Sequence, residues 1–254
     1  MQTRPETRVV GILVPPGTDA DPVALIREAM RLASSGADIV DLDLTPDGPL
    51  AGLAEDRLAL LVRGLGEAGI PVSVTTTRAS IARIAVERGA RWISDPSGAT
   101  ADPEMIRVAR RPSLVGWAIG PWAIRRPVER HGSSAADEYT DGLVRNLARL
   151  LAAGVRSDRI VLNASAGLSQ TATDPWVMLG DLARVRALGY PVLVDARDEV
   201  LASMSADDSA DGLGDAAVGL AVLAVGARAW GIRTRAVERV ATTVDRILEP
   251  RRSA

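Results

Sequence analysis

The 254-residue sequence contains no cysteine, no lysine and no phenylalanine, and its only histidine is His131. Without cysteine, disulfides, thiolate nucleophiles and thiolate metal ligands are excluded. Without lysine, Schiff-base chemistry and a lysine hand for phosphate are excluded too, and all 30 basic residues are arginine. One histidine cannot form a His-pair metal site or supply a second imidazole base. No apolar run reaches the roughly eighteen residues that a membrane-spanning helix needs. The opening residues, MQTRPETR, are polar and have no apolar signal core. These absences predict a soluble, cytoplasmic protein. A formal net charge of −2 gives no bulk electrostatic pull toward nucleic acid or an anionic membrane.

What remains is an aliphatic chain, 47% hydrophobic, drawn mostly from Ala, Val, Leu and Ile. Such composition suits buried parallel strands covered by Ala-rich helices. Short apolar runs of strand type fall at 8–14, 38–44, 71–75, 91–94, 113–119, 160–162, 191–194 and 228–232. Helical patterns separate them, opened by Asp-Pro pairs at Asp21-Pro22, Asp102-Pro103 and Asp174-Pro175 and stopped by Gly36, Gly69, Gly89, Gly154 and Gly189. Residues 120–135 read as an irregular Arg- and Pro-rich loop, and 205–215 as a polar loop. Eight strand–helix units at about 25 to 30 residues each predict an α/β fold, a single (β/α)₈ TIM barrel occupying 1–254 as one domain. A doubly wound open sheet shares the alternation. However, no Gly-rich dinucleotide fingerprint follows the first strand, and Gly212-Leu213-Gly214 follows a polar loop instead of a strand.

In a barrel the chemistry collects at the C-terminal ends of the strands. The sixth unit is the most suggestive, because Ile160-Val161-Leu162 empties at once into Asn163, Ala164, Ser165, Ala166 and Gly167. Asn163 and Ser165 are therefore ligand-contact candidates. Arg233 and Arg235, with Arg197, can form an anion pocket, since guanidinium binds phosphate in a bidentate manner. Alternatively they pair with Asp195, Asp198 or Glu199. Asp41 and Asp43 stand two apart on one strand and face the same way. They form either a metal or acid–base pair or salt bridges to Arg inside the barrel. Asp95 is a loop cap or a ligand contact. Trp117 and Trp230 either stack on a planar ring or pack in the core, and His131 belongs to the surface.

Read in order, the strand ends and their flanks resemble the dihydropteroate synthases, the pterin-binding barrels of folate synthesis. The landmarks are GADIVDL at 36–42, VSVTTTRASIA at 72–82, ISDPSG at 93–98, DPEM at 102–105, the loop after Asn163, GYPVLV at 189–194 and GARAWGIR at 226–233. The resemblance implies a transferase joining a pterin diphosphate to p-aminobenzoate, with Mg²⁺ bound, and a homodimer paired through barrel helices. Within the matching motifs, Thr76, Asp95, Ser97 and Arg233 are retained. Elsewhere the functional positions differ. Val14 stands where the family has an Asn that helps hold Mg²⁺ and diphosphate, so no cofactor is expected. Thr75 replaces a substrate-binding Asp, Ser94 an Asn, and Asn163 the Asp that grips the pterin ring. Past the seventh strand the family's Ser-Arg-Lys is replaced within Asp195-Ala196-Arg197-Asp198-Glu199, so that an acid takes the place of a pterin-binding Lys, and Arg235 takes that of a diphosphate-binding His. Since charged hydrogen bonds are worth about 1.5 to 3 kcal/mol each, losing several predicts a synthase-like protein without ordinary synthase activity. The ligand is then a pterin or another small anion. The alternatives are an enzyme using the same barrel on a different anionic substrate, or a weak dihydropteroate synthase.

Overall fold

The computed structural model describes residues 7–17, 21–119, 135–164, 182–205, 207 and 209–249. Its strands are β1 (Arg8–Ile12), β2 (Ile39–Asp43), β3 (Val72–Thr75), β4 (Trp92–Asp95), β5 (Gly116–Ile119), β6 (Ile160–Asn163), β7 (Val192–Ala196) and β8 (Gly231–Thr234). All neighbours are parallel, and β8 returns to pair with β1, with Val10 beside Arg233. The sheet closes as the (β/α)₈ barrel that the alternation predicts, and the open doubly wound sheet is excluded. Interleaved with the strands are α1 (Pro22–Ser34), α2 (Glu55–Glu67), α3 (Ala79–Glu87), α4 (Met105–Ala109), α5 (Ala135–Ala152), α6 (Leu182–Ala187), α7 (Asp198–Met204), α8 (Ala210–Gly226) and α9 (Val237–Leu248). Among the described residues no helix is long and apolar enough to cross a membrane.

Local chemistry explains the boundaries. Asp21 caps α1 by accepting from the Ala24 N–H, with Pro22 supplying a preset backbone at the first turn. Asp102 does more than its Asp-Pro pattern suggests: it accepts from Glu104 N–H and from Ala79 N–H, tying the start of α3 to the approach to α4. Gly89 ends α3 at φ 113, a conformation closed to most side chains. Outward-facing Val9, Leu13, Val40, Leu42 and Val74 pack against Leu25, Leu32, Leu58, Leu61, Leu65 and Ile81 from the helices. Each fully buried aliphatic contributes about 1.5 to 3 kcal/mol, so this shell stabilises the barrel independently of its mouth.

Two boundaries differ from the sequence reading. The stretch 205–215 is only half a loop, because Ser209 caps α8 by accepting from Gly212 N–H and the helix begins at Ala210. β8 runs from Gly231 to Thr234, which moves Arg233 from beyond the strand to inside it.

Inside the barrel, successive layers change character. At the N-terminal end Val10, Ile39, Ala118, Val161 and Leu193 form an apolar cluster closed by Trp92 and Trp230. The two indoles pack at 4.8 Å and 46°, and the Arg8 guanidinium sits 5.0 Å over Trp230. Core packing is thus the role of Trp230. Above this plug lies a cavity of about 20 Å³, room for one water, reached by Asp41, Ser73, Ser94 and Arg233.

Candidate functional site

Strand alternation turns Asp41 and Asp43 of β2, Thr75 of β3, Ser94 of β4, Asn163 of β6, Asp195 of β7 and Arg233 of β8 into the barrel at its C-terminal end. All are buried. Arg233, 1% exposed, is the hub. Its Nε donates to Asp41 Oδ2 at 2.9 Å, and Nη2 donates to Asp41 Oδ2 and Asp43 Oδ2, both at 2.7 Å. Its Nη1 donates to Asp195 Oδ1 at 3.0 Å and Oδ2 at 3.3 Å. Thr75 Oγ1 lies 2.8 Å and 2.9 Å from the two oxygens of Asp41. Burial alone would lower the Arg233 pKa, but Asp195, Asp41 and Asp43 together raise it well above the ordinary value.

Asp43 also closes the loop that follows it. Its Oδ1 accepts from Thr45 N–H at 3.0 Å and Thr45 Oγ1 at 2.6 Å. A Cβ on Gly48 would overlap the same carboxylate. Burial pushes the Asp43 carboxyl up, yet the Arg233 charge and the bonds from Thr45 outweigh it and hold the pKa below the ordinary range.

The structure sorts the remaining candidates. Asp41 and Asp43 are barrel-interior partners of an arginine, as one of the two sequence readings has it. Of the two readings for Arg233, Arg235 and Arg197, pairing with Asp195 and Asp198 holds and the anion pocket does not, although Arg233 makes its pairs inside the barrel, not on the surface. Because β8 extends through Thr234, strand alternation points the Arg233 side chain inward, where three carboxylates meet it. Arg235 lies apart and pairs with Asp198 at the start of α7. Arg197 is half-buried, with Nε 3.4 Å from Asp195 Oδ2 but without a hydrogen bond. Arg197 and Arg233 therefore meet at Asp195, while Arg235 stays outside the group.

Asp95 points out of the barrel and caps its own loop, accepting from Ser97 N–H (2.9 Å), Ser97 Oγ (2.7 Å) and Ala99 N–H (2.7 Å). The last bond holds Ala99 at φ 62, a left-handed conformation unusual for alanine. Burial raises the Asp95 pKa despite the opposing bonds from Ser97 and Ala99. Thr76 is buried, accepts from Arg78 N–H at 3.2 Å and leads into α3. Trp117 faces outward into the core, so it cannot stack in the mouth, and its Nε1 has no hydrogen-bond partner. Ser165 and His131 lie outside the described residues.

The sequence names Asp195 as a partner for Arg197, Arg233 and Arg235 but carries no sign that it is a buried inner-wall carboxylate in register with Arg233, and it gives no signal at all for Arg149. Arg149 of α5 reaches the β4 loop, donating to the Gly98 carbonyl and to Asn146 Oδ1. Room for a ligand lies on the same end of the barrel. A cleft of about 430 Å³ opens between Pro15 and Gly17 after β1, Leu25 of α1, and Pro49, Leu50, Leu53 and Arg57 around the start of α2. That volume falls in the range of small-molecule pockets.

Comparison with known proteins follows the same lines. Residues 17–235 match the family model described as pterin binding enzyme. The chain is 31% identical over 244 residues to a dihydropteroate synthase of Mycobacterium leprae, covering 90% of this chain and 84% of that protein. It is 28% identical to a protein of the same organism named inactive dihydropteroate synthase 2, covering 87% and 79%. A dihydropteroate synthase from Xanthomonas albilineans, solved in complex with 7,8-dihydropteroate, superposes with a TM-score of 0.81 at 20% identity, covering 97% of this chain and 93% of the other.

Proposed function

The chain belongs to the pterin-binding enzyme family and is dihydropteroate synthase-like, and from that premise we propose that it is a one-domain cytoplasmic barrel that binds a small pterin-like ligand without carrying out the ordinary synthase reaction. The observation that carries this reading is the enclosure of Arg233. The resemblance assigns that position to diphosphate, but here every guanidinium nitrogen already donates to a carboxylate. An incoming diphosphate meets a guanidinium that three carboxylates already hold.

Mg²⁺, which the resemblance also implies, does not fit the residues present. Val14 is 39% exposed and offers only alkyl carbon where a hard cation needs oxygen. Among the described residues no group of three or more acidic or histidine side chains is arranged to hold a metal ion. The pterin grip is weakened as well, since neutral Asn163 offers a single acceptor oxygen where the resemblance implies a carboxylate. Similarity to a protein named an inactive synthase agrees with these losses.

The test is a condensation assay with a pterin diphosphate and p-aminobenzoate, with and without Mg²⁺, run beside calorimetry with 7,8-dihydropteroate. Binding of the pteroate without turnover is expected. Turnover at the rate of the similar M. leprae synthase under the same conditions overturns the reading. We also read the outer face of α8, where Val222 and Leu223 are exposed, as the surface that pairs with a second copy.

A further inference from the structure

Resting on the reading that the barrel mouth takes a small ligand, we propose that Asp195 and Asp43 set the ligand class of this site. They close Arg233 off from the mouth, and so convert an anion receiver into a site for an uncharged or cationic, donor-bearing heterocycle.

The three carboxylates do not play equal parts. Asp41 lies deepest on β2 and takes the Nε–Nη2 edge of the guanidinium, with Thr75 Oγ1 holding the carboxylate in place. That contact alone neutralises the arginine and orients it. An arginine anchored in this way still has donors on Nη1 and Nη2 directed elsewhere, because its five N–H groups form a rigid planar fork. Asp43 stands two residues nearer the strand's C-terminal end and takes the remaining Nη2 contact. Asp195, beside Arg233 in the β7–β8 register, takes Nη1. These two carboxylates are what separates an arginine anchored by Asp41 alone from one held on all three of its nitrogens.

Charge points the same way. Among the described residues of this cluster, Asp41, Asp43 and Asp195 face Arg233 and Arg197, which leaves one net negative charge. A phosphate or diphosphate entering the mouth meets carboxylates from which water is largely excluded, and like charges brought together there are strongly unfavourable. Amino or ring N–H groups meet carboxylate oxygens and the acceptor oxygen of Asn163 instead.

Isothermal calorimetry on the full chain tests this with three probes: a pterin alcohol, its diphosphate ester and inorganic pyrophosphate. The wild type is expected to bind the alcohol, to bind the ester more weakly, and to bind pyrophosphate most weakly of the three. Asp195→Ser, which removes the charge and withdraws the oxygen from Nη1, is expected to raise pyrophosphate affinity about tenfold or more over the wild type, the value of one freed charge-assisted bond. Asp43→Asn is the second variant, and thermal melts establish that each is folded. Wild-type protein binding pyrophosphate or the ester as tightly as the alcohol overturns the proposal. So does the failure of both folded variants to gain pyrophosphate affinity. If the wild type binds no pterin at all while Asp195→Ser gains pyrophosphate, the pterin reading of the site falls and the role of Asp195 stands.

Discussion

Arg233 is the residue on which the mouth depends, and its removal isolates three buried carboxylates at once. Arg233→Met should cost about 3 to 5 kcal/mol in urea denaturation, the usual penalty for stranding buried charge. Arg233→Lys restores the charge but not the planar fork, and should recover only part of the loss. Titration separates the acids further. The folded pKa of Asp43 lies below its ordinary value, so its contribution is present above the unfolded pKa of about 3.9 and is lost as pH falls through the folded value. Asp95 is raised by burial, so its contribution runs oppositely: it is full below the unfolded pKa and declines as pH rises through the folded one. In thermal melts between about pH 7 and pH 3, the stability advantage of wild type over Asp43→Asn should shrink on acidification, while that over Asp95→Asn should grow. Two parallel curves would refute the assignment. The spacing of Asp41 and Asp43 made their common face legible from sequence. The enclosure of Arg233 was not, because it depends on the β1–β8 and β7–β8 registers, which bring together residues separated by as many as 192 positions.

At the scale of elements, the barrel was legible because its punctuation is local. Asp21-Pro22 opens α1 and Gly89 ends α3 by chemistry that needs no tertiary partner. The start of α8 was not legible, since Gly212 and Gly214 read as loop residues. Their lack of a side chain instead makes room: a Cβ on Gly212 would overlap the Asp207 carbonyl, and one on Gly214 would overlap Arg239 of α9. The same kind of close approach sets the floor of the barrel. A Cβ on Gly116 of β5 would run into the Trp92 ring, which also packs against Trp230. Gly116→Ala should therefore destabilise the protein by about 1 to 3 kcal/mol, as overpacking does. Because the clash is with one ring, adding Trp92→Leu should recover part of the loss in a double-mutant cycle. Additive costs would locate the strain elsewhere.

The whole molecule separates a stable shell from a changed mouth. The aliphatic layer between strands and helices does not involve the charged cluster, so the inner wall could exchange its polar groups while the barrel persisted. Among the described helices α8 is apolar nearly all round: Ala217, Leu220, Ala221 and Ala224 pack inward, while the adjacent Val222 and Leu223 are 48% and 40% exposed. A helix hydrophobic on every side is one expected to be covered on every side. Exposed apolar patches of this kind mark association surfaces, and a second copy of the chain offers the same apolar stripe for an isologous contact. Light scattering of the wild type should give the mass of two 26.7 kDa chains, and Val222→Asp should return the single-chain mass. Since Val222 faces away from the barrel core, the variant should keep its melting profile apart from the contribution of pairing. A wild-type protein that runs as one chain at all concentrations, or a Val222→Asp variant that still runs as two, removes α8 as the contact.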